Sequence, residues 1–429
     1  MKNNRRNFLK LAGITGIGVA GAGVLNGFTS ATGLVPEPEP AAEYESTIQN
    51  QQSIIGLYGT WAYSLIENKI PAFSFRNEKW KNVKNWRTAA KQRLLEQLAI
   101  PDIGGLPEVT VRKQYNYDGL HIEELSWQLP YGRPTEAILL KPENARGPLP
   151  AILAFHDHAA NKYYGRQKIT KTSKSGDPLM ESHQTNYYEG VAWANEIAKR
   201  GYVVLVSDAF TFASRRVMME DVPVQIRKGL NDKNHEDPNN IKAYNNWAAE
   251  HEHIMAKSLL SAGTTWPGVF LAEDQKALDV LCARPDVDAS RVGCGGLSGG
   301  GIRTVFMGGV DPRIKCAVCM GFMTNWKDLI LHKSYTHTWM SFVPGTPKDL
   351  DFPEILGLRV PLPTLVLNNT HDGLFTLSEM KASDEVLAAV YRKAGAEKNY
   401  KCSFHPGPHK FDKKMQEEAF DWFDQWLKV

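Results

Sequence analysis

Along residues 80–98, apolar side chains recur every three or four positions, which is the spacing of one face of an α-helix. The side chains on this face are Trp80, Val83, Trp86, Ala90, Leu94 and Leu98. We predict helical structure over residues 44–100, ending at Pro101, because proline cannot continue a helix. The pattern therefore predicts a helical N-terminal extension, residues 44–106, that packs on a larger domain.

From residue 109 the apolar period changes to two, which is typical of half-buried strands. Antiparallel strands are predicted over 109–115, 121–127 and 136–140. Residues 151–155 form a continuous apolar run, as expected of a strand buried on both faces. Strand and helix patterns then alternate to the C-terminus, beginning with a helix over 188–200. Residues 107–429 thus predict an α/β fold, with a mostly parallel central sheet and helices on both faces.

Two connections are longer than such folds usually need, namely residues 209–266 and residues 321–362. Both leave the carboxyl ends of predicted strands, where open α/β sheets bind ligands. We call them the first and second lid segments. Their tryptophans Trp266, Trp326 and Trp339 could stack on a sugar ring of a substrate, or could simply pack the lids.

The N-terminus has a composition of its own. The formal net charge of the chain is +3, and the first ten residues carry Lys2, Arg5, Arg6 and Lys10 without any acid. The rest therefore sums to −1 (3 − 4), which gives no electrostatic footprint for nucleic acid or anionic lipid.

The run N-R-R-N-F-L-K, followed by a Gly/Ala-rich stretch, resembles a twin-arginine export signal over residues 1–33. This predicts a periplasmic or extracellular protein. Residues 34–43 contain P-E-P-E-P and predict an extended linker. The apolar runs are too short or too rich in glycine for a stable membrane span.

The five cysteines and the paired histidines do not indicate a redox or metal site. Cys316 and Cys319 lie three apart on a predicted strand, so their side chains face opposite sides, and we interpret them as small buried apolar residues. His156 with His158, and His251 with His253, are spaced like metal ligands but lack an evident third ligand. We therefore predict no metal and no cofactor.

Residues 295–301 carry the strongest chemical signal, the sequence G-G-L-S-G-G-G after a short apolar run. A serine in a G-x-S-x-G frame between a strand and a helix predicts the nucleophile elbow of an α/β hydrolase, with Ser298 exposed on a sharp turn. A serine hydroxyl needs a base within hydrogen-bonding reach, and the base needs an acid to orient it.

In this fold the acid and then the histidine follow the serine along the chain. Asp372 lies between a buried strand and a helix, and His409 lies in a loop of prolines and glycine after the last strand. His405 is the alternative base, but it ends that strand four residues earlier. The oxyanion hole should combine the backbone N–H of Gly299 with that of Asp157 or His158.

The stretch 274–301 resembles the acetyl xylan esterase and dienelactone-hydrolase-like branch of the α/β hydrolase superfamily. The resemblance implies an α/β-hydrolase fold, Ser298 as nucleophile, Asp372 as acid and His409 as base. The elbow reads Leu-Ser-Gly-Gly where well-known acetyl xylan esterases have Ser-Gln-Gly-Gly, so the reaction class is implied more firmly than acetylated xylan as the substrate.

The predicted function is a secreted serine hydrolase that cleaves carboxylic esters of small molecules or carbohydrates through an acyl-enzyme. One alternative is a peptidase like prolyl oligopeptidase, which would need a large gating domain such as a β-propeller. Another is a non-catalytic carbohydrate-binding protein on a hydrolase scaffold. The sequence makes no prediction of oligomeric state.

Overall fold

The computed structural model describes residues 53–66, 69–234 and 236–428. The predicted export signal (1–33), the predicted linker (34–43) and the start of the predicted extension lie outside the described residues. No helix within the described ranges combines the length and the apolar character that crossing a bilayer requires.

Nine strands of the described chain form one sheet, in the spatial order β1-β2-β3-β5-β4-β6-β7-β8-β9. In chain order they are β1 Val109–Tyr117, β2 Leu120–Trp127, β3 Thr135–Pro142, β4 Leu149–Phe155, β5 Val203–Ser207, β6 Val287–Leu297, β7 Ile314–Met320, β8 Thr364–Asn369 and β9 Tyr400–His405. The pairs β1–β2, β2–β3 and β3–β5 are antiparallel, and every other pair is parallel. The predicted mostly parallel sheet is confirmed.

The described α-helices are α1 Tyr58–Ser64, α2 Val83–Leu98, α3 Pro178–Tyr188, α4 Trp193–Lys199, α5 Pro238–Ser261, α6 Trp266–Cys282, α7 Gly299–Val310, α8 Trp326–Asp328, α9 Thr346–Asp349, α10 Phe352–Gly357, α11 Leu377–Lys393 and α12 Lys413–Leu427. Helices α2, α6, α7 and α11 contribute to a core on one face of the sheet, and α3, α4 and α12 to a core on the other. The predicted placement of helices on both faces is therefore correct.

Two cysteines on β7 illustrate how the sheet separates these cores. Cys319 belongs to the core beneath α6 and α7, whereas Cys316 belongs to the core beneath α4 and α12. Both are fully buried free thiols, and burial raises the pKa of each. The interpretation of this pair as small buried apolar residues is confirmed.

Two predicted helices differ in extent from those in the structure. Within the predicted extension, α1 and α2 are separated by turns over residues 69–82. Asn82 caps the N-terminus of α2, because its side chain accepts hydrogen bonds from two backbone N–H groups of the first turn. The predicted helix over 188–200 corresponds to α4, Trp193–Lys199, which begins five residues later, whereas α3 ends at Tyr188 and is not among the predicted helices. Glu189 and Gly190 both have positive φ there (56° and 77°), which ends α3.

Candidate active site

Ser298 lies in the turn between β6 and α7, with φ +58° and ψ −114°. A non-glycine residue held in such a sparsely populated region costs about 1–3 kcal/mol and is found mainly at functional sites. Its backbone N–H donates to the carbonyl oxygen of Met320 on β7 (2.9 Å), and its side chain is half-buried. The strained turn lies at the carboxyl end of a central strand, as a nucleophile elbow requires.

The glycines around Ser298 allow the backbone to pass close to β4. A Cβ atom at Gly296 or at Gly300 would lie 2.4 Å from the carbonyl oxygen of Phe155, the last residue of β4. Because that oxygen belongs to a central strand and cannot move aside, only glycine fits at either position. The G-x-S-x-G spacing thus reflects a close approach of α7 and β6 to β4.

Asp372 and His409 lie in the loops that follow β8 and β9, at the same edge of the sheet as Ser298. Nδ1 of His409 is 2.6 Å from Oδ2 of Asp372, whose Oδ1 accepts a hydrogen bond from the N–H of Leu374 (3.0 Å). The two loops are also joined through their backbones, because the N–H of His371 donates to the carbonyl oxygen of Gly407 (3.0 Å). Asp372 therefore orients the His409 ring.

The other ring nitrogen of His409, Nε2, is buried and has no hydrogen-bond partner among the described residues. The ring lies against Gly321, where a Cβ atom would be 3.0 Å from Cε1 of His409. Gly321 follows Met320, whose carbonyl oxygen binds the N–H of Ser298. The structure thus places the imidazole at the end of β7, beside the strand end that carries Ser298.

His405, the competing histidine, is engaged elsewhere. Its Nε2 lies 2.8 Å from Oε2 of Glu418 on α12, and the same glutamate binds Ser403 and Lys401. His405 thus makes a structural contact with α12.

The loop after β4 brings His158 next to the start of α7. A Cβ atom at Gly299 would be 2.8 Å from the backbone nitrogen of His158. Within the described chain, neither of these two N–H groups donates a hydrogen bond. Two free backbone donors therefore lie side by side at the N-terminus of a helix, where the helix dipole also favours negative charge.

The side chain of Asp157 points away from this edge into a buried polar cluster. Its Oδ2 accepts hydrogen bonds from Nε2 of His183 (3.0 Å) and the hydroxyl of Tyr188 (2.5 Å), and Lys168 lies 3.6 Å from Oδ1. Burial alone would raise the pKa of Asp157, but His183 and Lys168 hold that pKa well below its ordinary value. Asp157 is therefore a buried carboxylate.

Glu252 on α5 joins the two lid segments to the loop after β4. Its carboxylate is 2.8 Å from Nε2 of His158 and 2.8 Å from Nζ of Lys162, and it accepts a hydrogen bond from the hydroxyl of Thr338 in the second lid segment (2.8 Å). Glu252 is only 7% exposed. Burial would raise its pKa, but Lys162 and His158 hold that pKa well below 4.5.

We expect Glu252→Gln to lower the free energy of unfolding at pH 7 by about 3–5 kcal/mol, because the neutral amide leaves the buried Lys162 ammonium without its counter-charge. A carboxylate whose folded pKa is depressed stabilises the fold above its unfolded pKa, so the deficit of the variant should persist at pH 6–8 and narrow as the pH falls below about 4.5. Urea unfolding at several pH values measures this.

Glu250→Gln is the matched control for this experiment, since Glu250 lies on the same helix but pairs with Lys228 at the surface, where both side chains are 63% exposed. Its loss should cost less than about 1 kcal/mol. Equal losses for the two variants would contradict a buried ionic connection at Glu252.

The three predicted tryptophans line one cavity of about 230 Å³ between the lid segments. Trp266 and Trp326 are almost fully buried, and the indole N–H of Trp326 donates to the carbonyl oxygen of Leu350 (2.9 Å). Trp339 is 41% exposed, and its backbone N–H approaches Glu252 (3.3 Å). Trp266 and Trp326 thus pack the walls of the cavity, whereas Trp339 presents an accessible ring.

Sequence reasoning missed Lys162, Lys168, Glu252 and His337. Burial lowers the pKa of His337 to about 4, so its ring is neutral beside Asp372 and His409. Glu252 had a usable signal, because it falls on the apolar stripe of α5, whose buried positions include Ile241, Ala248 and Ala256. The lysines had none, since each lies in an irregular polar stretch.

The pair His156 and His158, which is spaced like metal ligands, is engaged in other contacts. Nδ1 of His156 is 3.0 Å from the carbonyl oxygen of Asp157, its Nε2 accepts from the N–H of Ala209, and His158 binds Glu252. Across the residues that the structure describes, no group of three or more His, Cys, Asp or Glu side chains is arranged to hold a metal ion.

Comparison with known proteins supports the fold. No protein-family model matches the sequence. The chain is 24% identical, over 345 residues, to the protein named "Putative hydrolase YtaP" from Bacillus subtilis (strain 168), a match that covers 80% of this chain and 100% of that protein.

Two solved structures resemble the chain over most of its length. The crystal structure of a "putative acetyl xylan esterase" from Bacteroides fragilis NCTC 9343 has a TM-score of 0.61, 16% identity and coverage of 84% of each chain. A glucuronoyl esterase from Solibacter usitatus has a TM-score of 0.54 and 14% identity, covering 83% of this chain and 97% of that one. The chain has the α/β-hydrolase fold, as the sequence predicts.

Proposed function

We propose that this protein is a serine hydrolase that cleaves carboxylic esters through an acyl-enzyme. The observation that carries the proposal is the 2.6 Å contact between His409 and Asp372, which leaves Nε2 of His409 unpaired at the sheet edge where Ser298 occupies its strained turn. A nucleophile, a base and an orienting acid in this chain order are the parts that acyl transfer on this fold requires.

In the proposed reaction, Oγ of Ser298 attacks the ester carbonyl while Nε2 of His409 takes the hydroxyl proton. The C–O bond to the alcohol then breaks, and His409 returns the proton to the departing alkoxide oxygen. A water molecule repeats the sequence on the acyl-enzyme, giving the carboxylic acid and free Ser298. Asp372 stabilises the imidazolium and holds the tautomer in which Nε2 can accept a proton.

We assign the oxyanion hole to the N–H groups of Gly299 and His158 rather than Asp157. The carbonyl oxygen of His156 faces α7, since a Cβ atom at Gly300 would lie 3.2 Å from it. Because the C=O and N–H of a trans peptide point in opposite directions, the N–H of Asp157 points away from α7. The two remaining donors match the usual construction of this site in the fold.

We propose an acylated carbohydrate as the substrate. One structural neighbour is named as a putative acetyl xylan esterase, and Trp339 offers an exposed ring in the lining of the lid cavity. A second neighbour is named as a glucuronoyl esterase, for an ester in which the sugar acid supplies the acyl group. Glu252 contacts both His158 and the backbone N–H of Trp339, so we expect a sugar stacked on the Trp339 ring to place its ester toward the elbow. We also propose that the chain carries the export signal over residues 1–33 and the domain division that the sequence predicts.

We expect Trp339→Ala to raise KM for an acetylated oligosaccharide about 5- to 50-fold, which corresponds to about 1–2 kcal/mol of lost contact, with little change in kcat. Tyr335→Ala is the control, since Tyr335 is a 73% exposed aromatic residue of the same segment outside the cavity. Steady-state kinetics with the oligosaccharide and with p-nitrophenyl acetate distinguish the variants. Equal KM values for both variants would remove Trp339 from the substrate site.

The proposed function is tested by incubating the full chain with a fluorophosphonate probe and locating the adduct by mass spectrometry. We expect one adduct, on Ser298, together with hydrolysis of acetyl esters, acetylated xylan or methyl glucuronate esters. Cleavage of short peptides without cleavage of esters would favour the peptidase alternative. Absence of labelling together with carbohydrate binding would favour the non-catalytic alternative.

A further inference from the structure

Lys168 is a fully buried cation beneath the loop that carries His158. It ends a short 3₁₀ helix, Arg166–Lys168, and its side chain has no exposed surface. Its Nζ donates to the backbone carbonyl oxygens of Asp157 (2.8 Å) and His158 (3.0 Å). One ammonium group therefore holds two successive peptide groups of this loop.

These two hydrogen bonds fix the direction of the N–H groups. In a trans peptide the C=O and N–H bonds point in opposite directions. Since the carbonyl oxygen of Asp157 points at Lys168, the N–H of His158 must point to the opposite side, where Gly299 lies. Positive φ at Ala159 (41°) and Ala160 (49°) then turns the chain away. The carbonyl oxygen of Asp157 also lies 3.0 Å from Nδ1 of His156, and that of His158 accepts from the N–H of Asn161 (3.0 Å), so Lys168 adds a charged donor that bridges both carbonyl oxygens.

The charged groups around Lys168 favour an ammonium over a neutral amine at neutral pH. Burial lowers its pKa to about 8, and Lys162 acts in the same direction, whereas Asp157 and Asp208 raise it. The cation also lies over the ring of Phe212, 5.0 Å from its centroid. A charged donor makes stronger hydrogen bonds to carbonyl oxygens than a neutral one, which suits a group that must hold a loop in one orientation.

We propose that Lys168 is a positioning residue of the oxyanion hole, which holds the N–H of His158 toward the substrate oxygen without touching the substrate. The inference rests on the proposed function, because it assigns a part to a residue only if Ser298 performs acyl transfer. This role explains why Lys168 is buried under the loop, although the carboxylate of Asp157 already accepts hydrogen bonds from His183 and Tyr188.

The test compares Lys168→Met with the unmodified enzyme. Removing one oxyanion donor outright costs about 10²–10³ in kcat. Freeing the loop that holds it should cost less, so we expect a loss of about 10- to 100-fold. Because the N–H of His158 acts on the transition state, kcat and kcat/KM should fall by the same factor with KM within about twofold. The affinity for an aryl trifluoromethyl ketone, whose serine adduct places an oxyanion in the hole, should fall by that factor also.

Tyr188→Phe is the matched control, because it removes a hydrogen bond to the side chain of Asp157 in the same buried cluster but leaves both loop carbonyls with Lys168. Its kcat should stay within about threefold of the unmodified enzyme. If Lys168→Met does not fold, Lys168→Gln serves, since its shorter amide cannot reach both carbonyls, and at least a fivefold parallel loss in kcat and ketone affinity is expected.

An active, folded Lys168 variant with unchanged kcat, or with a lower kcat but unchanged ketone affinity, would overturn the inference. So would a Tyr188→Phe variant as impaired as Lys168→Met. Failure of the proposed function is distinguishable from these outcomes, because the unmodified chain would then not be labelled at Ser298 at all.

Discussion

Replacing Ser298 by alanine should lower kcat for p-nitrophenyl acetate by about 10⁵- to 10⁶-fold, the size of effect seen when the nucleophile of a serine hydrolase is removed. The loss is large because His409 then has no hydroxyl to activate and no acyl-enzyme forms. The thermal midpoint should not fall, since removing one hydroxyl from a half-buried side chain leaves the packing around it in place. Spectrophotometric assays and thermal unfolding measure the two quantities.

Ser290→Ala provides the control, because Ser290 is exposed at the opposite end of the same strand, β6. Its kcat should equal that of the unmodified protein. A Ser298→Ala variant that keeps near-normal activity would show that another residue performs the attack, and the proposed mechanism would have to be abandoned.

Asp372→Asn carries the second-largest expected effect, a loss of about 10⁴ in kcat. The amide can donate to Nδ1 of His409 where the carboxylate accepts from it, so the imidazole adopts the tautomer whose Nε2 already carries a proton and cannot act as a base. The substitution preserves shape, so KM should change little. Kinetics at saturating and limiting ester concentrations separate the two parameters.

The chain offers a matched pair for this substitution, because His405 and Glu418 form a second histidine–carboxylate contact of 2.8 Å in the same region. Glu418→Gln should leave kcat within about twofold while it replaces the carboxylate of that contact by a neutral amide. Comparable losses for Asp372→Asn and Glu418→Gln would indicate a general effect of disturbing the C-terminal loops rather than loss of a proton relay.

The sheet and the residues on its edge could be predicted because their signals are local. The apolar run before residue 296 marks a buried strand, and the glycines flanking Ser298 are required by contacts with Phe155 that any chain with this turn must avoid. Asp372 and His409 follow from chain order and from their positions after strands. Once the fold class is recognised, each of these inferences uses only local sequence and chain order, and none requires knowing which distant residues are in contact.

The buried charges could not be predicted in this way. Glu252 meets Lys162 and His158 from a helix about ninety residues further along the chain, and only the tertiary structure selects those partners. An acid on the apolar stripe of α5 predicts that some buried partner exists, but not which. Lys168 is harder still, since its partners are backbone carbonyls, which every residue has.

The predicted helix over 188–200 begins too early for a different reason. Tyr188, at the end of α3, packs on the same core as Trp193 and Ile197 of α4, so the apolar pattern continues across the break before α4. Backbone conformation at Glu189 ended α3, and positive φ at a glutamate is not something that a propensity anticipates.

The crowding at the elbow decides where new specificities could arise. Any side chain larger than hydrogen at positions 296, 299 or 300 would collide with β4 or with the loop beside it, so randomising these codons would yield almost only misfolded clones. Leu260 at the C-terminal end of α5, and Phe342 and Val343 in the second lid segment, by contrast, line a cavity. Directed evolution toward a bulkier acyl or sugar group should therefore draw its diversity from those three codons, leaving the reaction machinery untouched.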